Sequence, residues 1–276
     1  MFRRKIYDKL VEWKEKSKGE TALLIEGARR VGKTTISEYF GKNNFPSFVT
    51  IDFSKEDSTT LNIFNKIPSA DKMDNFFRDL FLSVGKSIPP KGSLIIFDEI
   101  QFCPKARQAI KHLVLDKRYY YIETGSLISI KDNTKNILIP SEEKSIEMLP
   151  MDFEEFLLAT SEDYILPSIK EIFDTNNYEL EQKYHHEFMK QFKLYLAIGG
   201  MPQAVNKYIE TKDLLEVHNV KMDIINLYNK DLEKIDNKYG TICKRMWIRG
   251  DIGSLIWKMG QGWRYRLGYI AWSVRH

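Results

Sequence analysis

Cysteine is nearly absent from this chain of 276 residues: there are two, Cys103 and Cys243, 140 positions apart. Neither zinc-type spacing nor a disulfide framework can be built from them, so a reduced, cytoplasmic protein is expected. Long apolar runs are missing as well. No uncharged stretch approaches the roughly 20 residues that a membrane-crossing helix needs, and no membrane partner is expected. Residues 1–18 are charged and lack the apolar segment of a secretory leader. Charge of one sign is equally scarce. The 42 Lys and Arg stand against 38 Asp and Glu for a net +4, too mild to argue a nucleic-acid partner from composition. What remains is an ordinary globular balance of 43% hydrophobic, 13% aromatic and 29% charged residues. It excludes general disorder and allows one large domain or two modest ones.

Apolar runs and helical periodicities alternate through the first half. Ile6, Leu10 and Trp13, with Tyr7 and Val11, mark one face of an opening helix. Residues 21–26 (TALLIE) read as a short strand ending at Gly27, and 34–40 continue as a helix. Further strands are expected at 47–53 (SFVTIDF), 93–97 (SLIIF) and 119–123, the last closing at Thr124-Gly125-Ser126. Between them lie helical patterns over 73–84 and 104–115. Strands this apolar, alternating with helices, belong to a parallel sheet covered on both faces. Beyond Pro150 the pattern turns helical, at 153–160, 179–197, 202–209 and 214–235. The expected division is therefore 1–150, an α/β core; 151–246, a helical region; and 247–276, an atypical tail.

That tail changes composition. Up to residue 246 lysine dominates the basic residues, whereas 247–276 hold one Lys, four Arg, four of the five Trp and a single acid, Asp251. Two readings fit: a basic aromatic tail that binds nucleic acid, or a truncated or out-of-frame terminus without a fold. The second is preferred, because glycine interrupts every periodic run there.

The strongest chemical signal is Gly27-Ala28-Arg29-Arg30-Val31-Gly32-Lys33-Thr34, a complete G-x-x-x-x-G-K-[ST] string. Glycines allow a turn tight enough to aim successive backbone N–H groups at phosphate oxygens. The helix that follows adds its N-terminal donors and dipole. Lys33 is placed for the outer phosphates and the Thr34 hydroxyl for Mg²⁺; Thr35 lines the same helix start. Chance would produce this string in about one chain of this length in a hundred. The apolar strand before it and the helix after it make chance a poor explanation.

Leu94-Ile95-Ile96-Phe97-Asp98-Glu99 is an apolar strand ending in two carboxylates, 66 positions after Gly32. Asp98 suits a metal-holding role. Glu99 beside it suits orientation of an attacking water, which favours hydrolysis. At the end of the fourth strand, Thr124 and Ser126 reach the edge where open α/β sheets bind ligands, placed to sense a terminal phosphate; an ordinary glycine turn explains them equally well. The expected site is thus catalytic Glu99 and Lys33; a phosphate cradle of Gly27, Ala28, Arg29, Arg30, Val31, Gly32, Lys33, Thr34 and Thr35, with Thr124 and Ser126; and Thr34 with Asp98 for the metal.

LIEGARRVGKTT, IIFDEIQ, YIETGSLISI, LPMDFEEFL and AIGGMP follow one another between Leu24 and Pro202. In that order they resemble the prokaryotic AAA-type ATPases whose ATPase core precedes a C-terminal domain of unknown function. The resemblance runs from about Phe2 to Arg245. It implies a P-loop NTPase core of five strands, with the sensor strand between the loop strand and the Walker B strand. It also implies ATP and Mg²⁺ as cofactors and Glu99 as the catalytic carboxylate. Family members usually run well past this length, so a C-terminal truncation or frameshift is expected. Such sites often borrow an arginine from a neighbouring copy. Arg107 and Arg118 are candidates on the resemblance only, against a reading as solvated surface arginines.

The expected function is an ATPase that couples hydrolysis to a conformational switch, with a homo-oligomer possible. The alternative is a nucleotide-dependent DNA- or protein-binding module, acting through its C-terminal part with little hydrolysis. Minor signals are read structurally. Asp152 caps a helix whose first turn carries Glu154 and Glu155. Gly199-Gly200-Met201-Pro202 ends one helix and begins another. Cys103 packs, and adjacent His185 and His186 diverge too far to share a metal.

Overall fold

The computed structural model describes residues 1–65, 72–126 and 141–235, with side chains described through 230. The tail at 247–276 and Cys243, with the expectations attached to them, lie outside the described residues. The elements are α1 (Ile6–Ser17), β1 (Ala22–Gly27), α2 (Lys33–Asn44), β2 (Phe48–Asp52), α3 (Ser58–Ile63), α4 (Met73–Ser83), β3 (Leu94–Asp98), α5 (Pro104–Leu115), β4 (Tyr120–Ser126) and β5 (Glu143–Met148). Helices follow: α6 (Phe153–Thr160), α7 (Leu166–Thr175), α8 (Tyr178–Ile198), α9 (Pro202–Thr211) and α10 (Leu214–Ile235).

The five strands form one sheet in the order β2-β3-β4-β1-β5, and every pairing is parallel. β3 is buried along its whole length, and β1 and β4 at nearly every position. These are the strands whose sequences are continuously apolar, as a sheet covered on both faces requires. Side chains alternate between the faces. Leu23, Ile25, Leu94, Ile96 and Ile122 pack on one side with Ile6, Leu10 and Trp13 of α1 and Ile36 and Phe40 of α2. Leu24, Ile95, Phe97 and Tyr121 pack on the other with α4 and α5. There Phe53, Phe64 and Phe97 bring their ring centroids within 5.5–5.8 Å of one another, in range for edge-to-face attraction beyond simple burial.

One strand escaped the sequence reading. β5 (EKSIEM) is an edge strand with buried Met148 and otherwise half-buried or exposed positions. Its polar residues hide the period that marks a core strand. As the fifth strand it completes the sheet that the resemblance implied, and β4 lies between β1 and β3 as expected.

The chain divides into two compact units. The first is Met1–Ala159 together with Gly200–Gln203; the second is Thr160–Gly199 with the residues from Ala204 on. The first unit therefore takes in nearly all of α6. α6 is capped reciprocally: Glu155 N–H donates to Asp152 Oδ1 at 2.8 Å, and Asp152 N–H donates to Glu155 Oε2 at 3.2 Å. In the second unit α8 is capped by Asn177, which accepts from Leu180 N–H at 3.1 Å, and ends at Gly199 with φ 82°. Among the described residues no helix is long and apolar enough to cross a membrane.

Candidate nucleotide site

Parallel strands place their carboxyl ends along one edge, and the order β3-β4-β1 collects the functional side chains there. Gly27 at the end of β1 lies opposite Ser126 at the end of β4, while Phe97 of β3 lies opposite Glu123. One residue further along, Asp98 and Thr124 meet: the Thr124 hydroxyl donates to Asp98 Oδ1. From the other side Thr34 Oγ1 stands 2.8 and 3.0 Å from the two oxygens of Asp98. Thr34, Asp98 and Thr124, separated by up to 90 positions in the chain, thus form one cluster of oxygen atoms. Hard oxygen donors of this kind suit Mg²⁺.

The loop between β1 and α2 is bent by backbone that other residues tolerate poorly. Gly27 has φ 156° and Gly32 φ 100°, and Arg30 holds φ 63°. At Gly27 the fit is also steric, because a Cβ there would lie 2.3 Å from the Met148 carbonyl oxygen. Lys33 is buried, and its Nζ donates to the carbonyls of Gly27 at 3.0 Å and Ala28 at 2.9 Å. Burial pushes its pKa below the usual lysine range, while Glu99 and Asp98 pull the other way. Val31 is fully buried; Ala28, Arg30 and Thr35 are exposed and Arg29 is half-buried. Arg30 Nη1 donates to Gln203 Oε1 at 3.3 Å.

Glu99 follows Asp98 in the left-handed region, φ 54°, which turns the chain sharply away from β3. Its N–H points to Thr124 Oγ1 at 3.4 Å, and its carboxylate accepts from the Gln101 amide. Asp98 and Glu99, adjacent at the end of β3, thus take different partners: hydroxyls for Asp98 and an amide for Glu99. Beside α2, Phe2, Arg4, Tyr7, Asp8, Ile36 and Tyr39 are among the residues lining an open cavity of about 240 Å³.

Several neighbours of this site were not read from the sequence. Met148 walls the loop at Gly27. Gly200 packs so closely on Met151 that a Cβ would lie 2.1 Å from the Met151 carbonyl oxygen, and Met151 N–H donates to Gly200 O at 2.7 Å. Arg4 reaches the loop from the start of the chain. None of these contacts leaves a local signal, since each joins segments 27 or more positions apart.

Arg107 needs correction. It is neither a surface arginine nor available to a second copy. It is buried, holding Glu143 of β5 through Nε at 2.8 Å and Nη2 at 2.6 Å, with Glu123 4.0 Å from its Nε. Arg118 pairs with Asp74 at 2.5 Å and Asp116 at 2.8 Å. Cys103 is buried in the α4–α5 core, where burial pushes its thiol pKa up. Among the described residues no cluster of three His, Cys, Asp or Glu forms a metal site.

The chain is similar to several known proteins. Among 225 matching chains of solved structures is the Walker-type ATPase PABY2304 of Pyrococcus abyssi. It is 16% identical with a TM-score of 0.45 over 86% of this chain and 76% of that one. Another is C. elegans PCH-2, 14% identical with a TM-score of 0.36 over 81% of this chain and 64% of that one. No curated protein matches the chain. A family model described as AAA domain matches residues 19–157, just over half the chain. That span contains the phosphate loop, Asp98, Glu99 and Thr124 on their parallel strands, and the chain belongs to the AAA domain family.

Proposed function

We propose that the chain binds Mg·ATP across the loop of residues 27–34 and hydrolyses it, and that loss of the γ-phosphate changes its conformation. The observation that carries this reading is the convergence of Lys33, Thr34, Asp98, Glu99 and Thr124 at one sheet edge. Lys33 exchanges the Gly27 and Ala28 carbonyls for phosphate oxygens, recovering charge-assisted bonds for a cation that burial has deprived of water. Thr34 and Asp98 hold Mg²⁺, which when bound neutralises charge developing on the phosphate oxygens. Glu99, turned out of the strand by its left-handed backbone, accepts a hydrogen bond from the attacking water and orients it. Thr124, bonded to Asp98 and facing the Glu99 N–H, registers the terminal phosphate together with Ser126.

A homo-oligomer, and a protein partner for the helical region, belong to the same proposal. DNA fits that region less well, because residues 160–235 carry thirteen acidic against nine basic side chains.

Phosphate release from Mg·ATP by the wild-type chain and by Glu99→Gln, with bound nucleotide measured in both, tests the reading. Turnover that falls about 10²- to 10⁴-fold in the variant while ATP stays bound is the expected outcome. Bound ATP without turnover in either protein would replace hydrolysis by a nucleotide-held binding module. Absence of bound ATP in the wild type would end both.

A further inference from the structure

We propose that Arg4, outside the phosphate-loop motif, is a positioning residue that sets the loop's donors toward the phosphates; this rests on the nucleotide reading above. Arg4 lies two residues before α1 and is buried, 5% exposed. Its Nη1 donates to the Val31 carbonyl at 3.1 Å and its Nη2 to the Leu149 carbonyl at 2.6 Å. Its Nε lies 3.2 Å from Glu155 Oε1. Glu155 in turn accepts from Lys5 N–H at 2.6 Å and closes the cap of α6 with Asp152. One guanidinium thus ties the start of the chain, the phosphate loop and the segment leaving β5 into a single buried knot.

The contact with Val31 is the informative one. A trans peptide directs its C=O and the following N–H to opposite sides. With the Val31 carbonyl taken by Arg4, the Gly32 N–H faces away from Arg4. The Gly32 carbonyl is already committed as acceptor of the first bond of α2, from Ile36 N–H at 3.0 Å. The turn is therefore held from both sides at the residue where φ 100° gives the backbone most freedom to flip. The loop's carbonyls are shared between two cations: Lys33 takes those of Gly27 and Ala28, and Arg4 takes that of Val31. A bound nucleotide recruits Lys33, whereas Arg4, enclosed by Glu155 and Leu149, stays. Lys33 binds phosphate; Arg4 keeps the nest shaped to receive it.

The test uses the full chain and two variants. Arg4→Lys keeps the charge but cannot fork to two carbonyls. Arg4→Met with Glu155→Gln removes both charges together, so no buried ion is left alone, and keeps an acceptor for Lys5 N–H. Amide hydrogen exchange of residues 28–33 without nucleotide is measured against β3. Affinities for ATP, ADP and adenosine are measured alongside thermal stability. Exchange of 28–33 is expected to speed up about tenfold with β3 unchanged, and ATP and ADP to bind about tenfold more weakly, with adenosine unaffected. Arg4→Lys should show a smaller loss than the double variant. If both variants melt earlier but keep wild-type exchange at 28–33 and wild-type ATP affinity, Arg4 is structural only and the inference fails alone. If the wild type binds neither ATP nor ADP, the nucleotide reading falls and this inference with it.

Discussion

Glu123 and Thr124 are neighbours on β4, yet they serve two charged clusters on opposite faces of the same sheet. Thr124 joins Asp98, Thr34 and, beyond them, Lys33 and Glu99, at an edge with an open loop. Glu123 points to the other face, fully buried beside Glu143 with Arg107 as the nearby cation. The first cluster consists of a lysine bonded to carbonyls and carboxylate oxygens facing hydroxyls, groups that a phosphate and a metal, as proposed above, would give better partners. The second has no such prospect. Two carboxylates share one guanidinium, and burial together with the Glu143 charge, opposed by Arg107, holds the Glu123 pKa well above the usual carboxylate range. A charged cluster open to a ligand can leave its balance to that ligand; a closed one is balanced by a proton.

This contrast can be broken experimentally. Arg107→Met should be the most damaging change, costing about 3–5 kcal/mol in denaturant unfolding, because it strands Glu143 without a cation. A loss under about 1 kcal/mol would mean that water reaches the cluster. At the open edge, Lys33→Ala should weaken ATP binding by about a hundredfold or more, roughly 3 kcal/mol. Thermal stability should hold or rise, since the removed charge is one that burial disfavours. A matching fall in melting temperature would make Lys33 a structural residue like Arg107.

The smallest effect concerns pH. With its pKa raised by burial, Glu123 keeps its proton to higher pH in the folded state than in the unfolded chain, where the ordinary value is 4.5. The stability this contributes is complete below that value and declines as pH rises toward the raised folded value. Glu123→Gln keeps the shape and removes the titration. Its unfolding free energy should match the wild type near pH 4.5, exceed it at neutral pH, and lose the downward slope. Parallel pH profiles for the two proteins would show that Glu123 ionises normally.

Legibility in the sequence followed the distance over which each feature is built. The phosphate loop and Asp98-Glu99 were readable because strand, turn and helix succeed one another within a few residues, and the chemistry constrains each position. Helices α5, α6 and α10 matched the ranges read from periodicity and caps, with Asp152 acting on Glu155 as expected. β5 was unreadable because an edge strand need not be apolar. Gly200 was readable as part of a turn between two helices, and it is also a point of close backbone approach to Met151. Arg107 looked like any exposed arginine, because the amphipathic pattern of α5 does not say which long side chain finds a buried carboxylate 36 positions away.

By itself, then, the sequence determined the parallel α/β core, the order in which the glycine-rich loop, Asp98 and β4 occur, and the residue types able to meet a phosphate and a cation. Those are consequences of local periodicity and of short strings whose function depends on contiguous backbone. Only the tertiary structure decided that the Thr124 hydroxyl reaches Asp98. It also decided that Arg4 and Met148 brace the loop, and that Glu123 and Arg107 are shut inside. These depend on which distant segments share a boundary once the sheet has closed over its core, and pairing across a sheet has no period along the chain from which to read it.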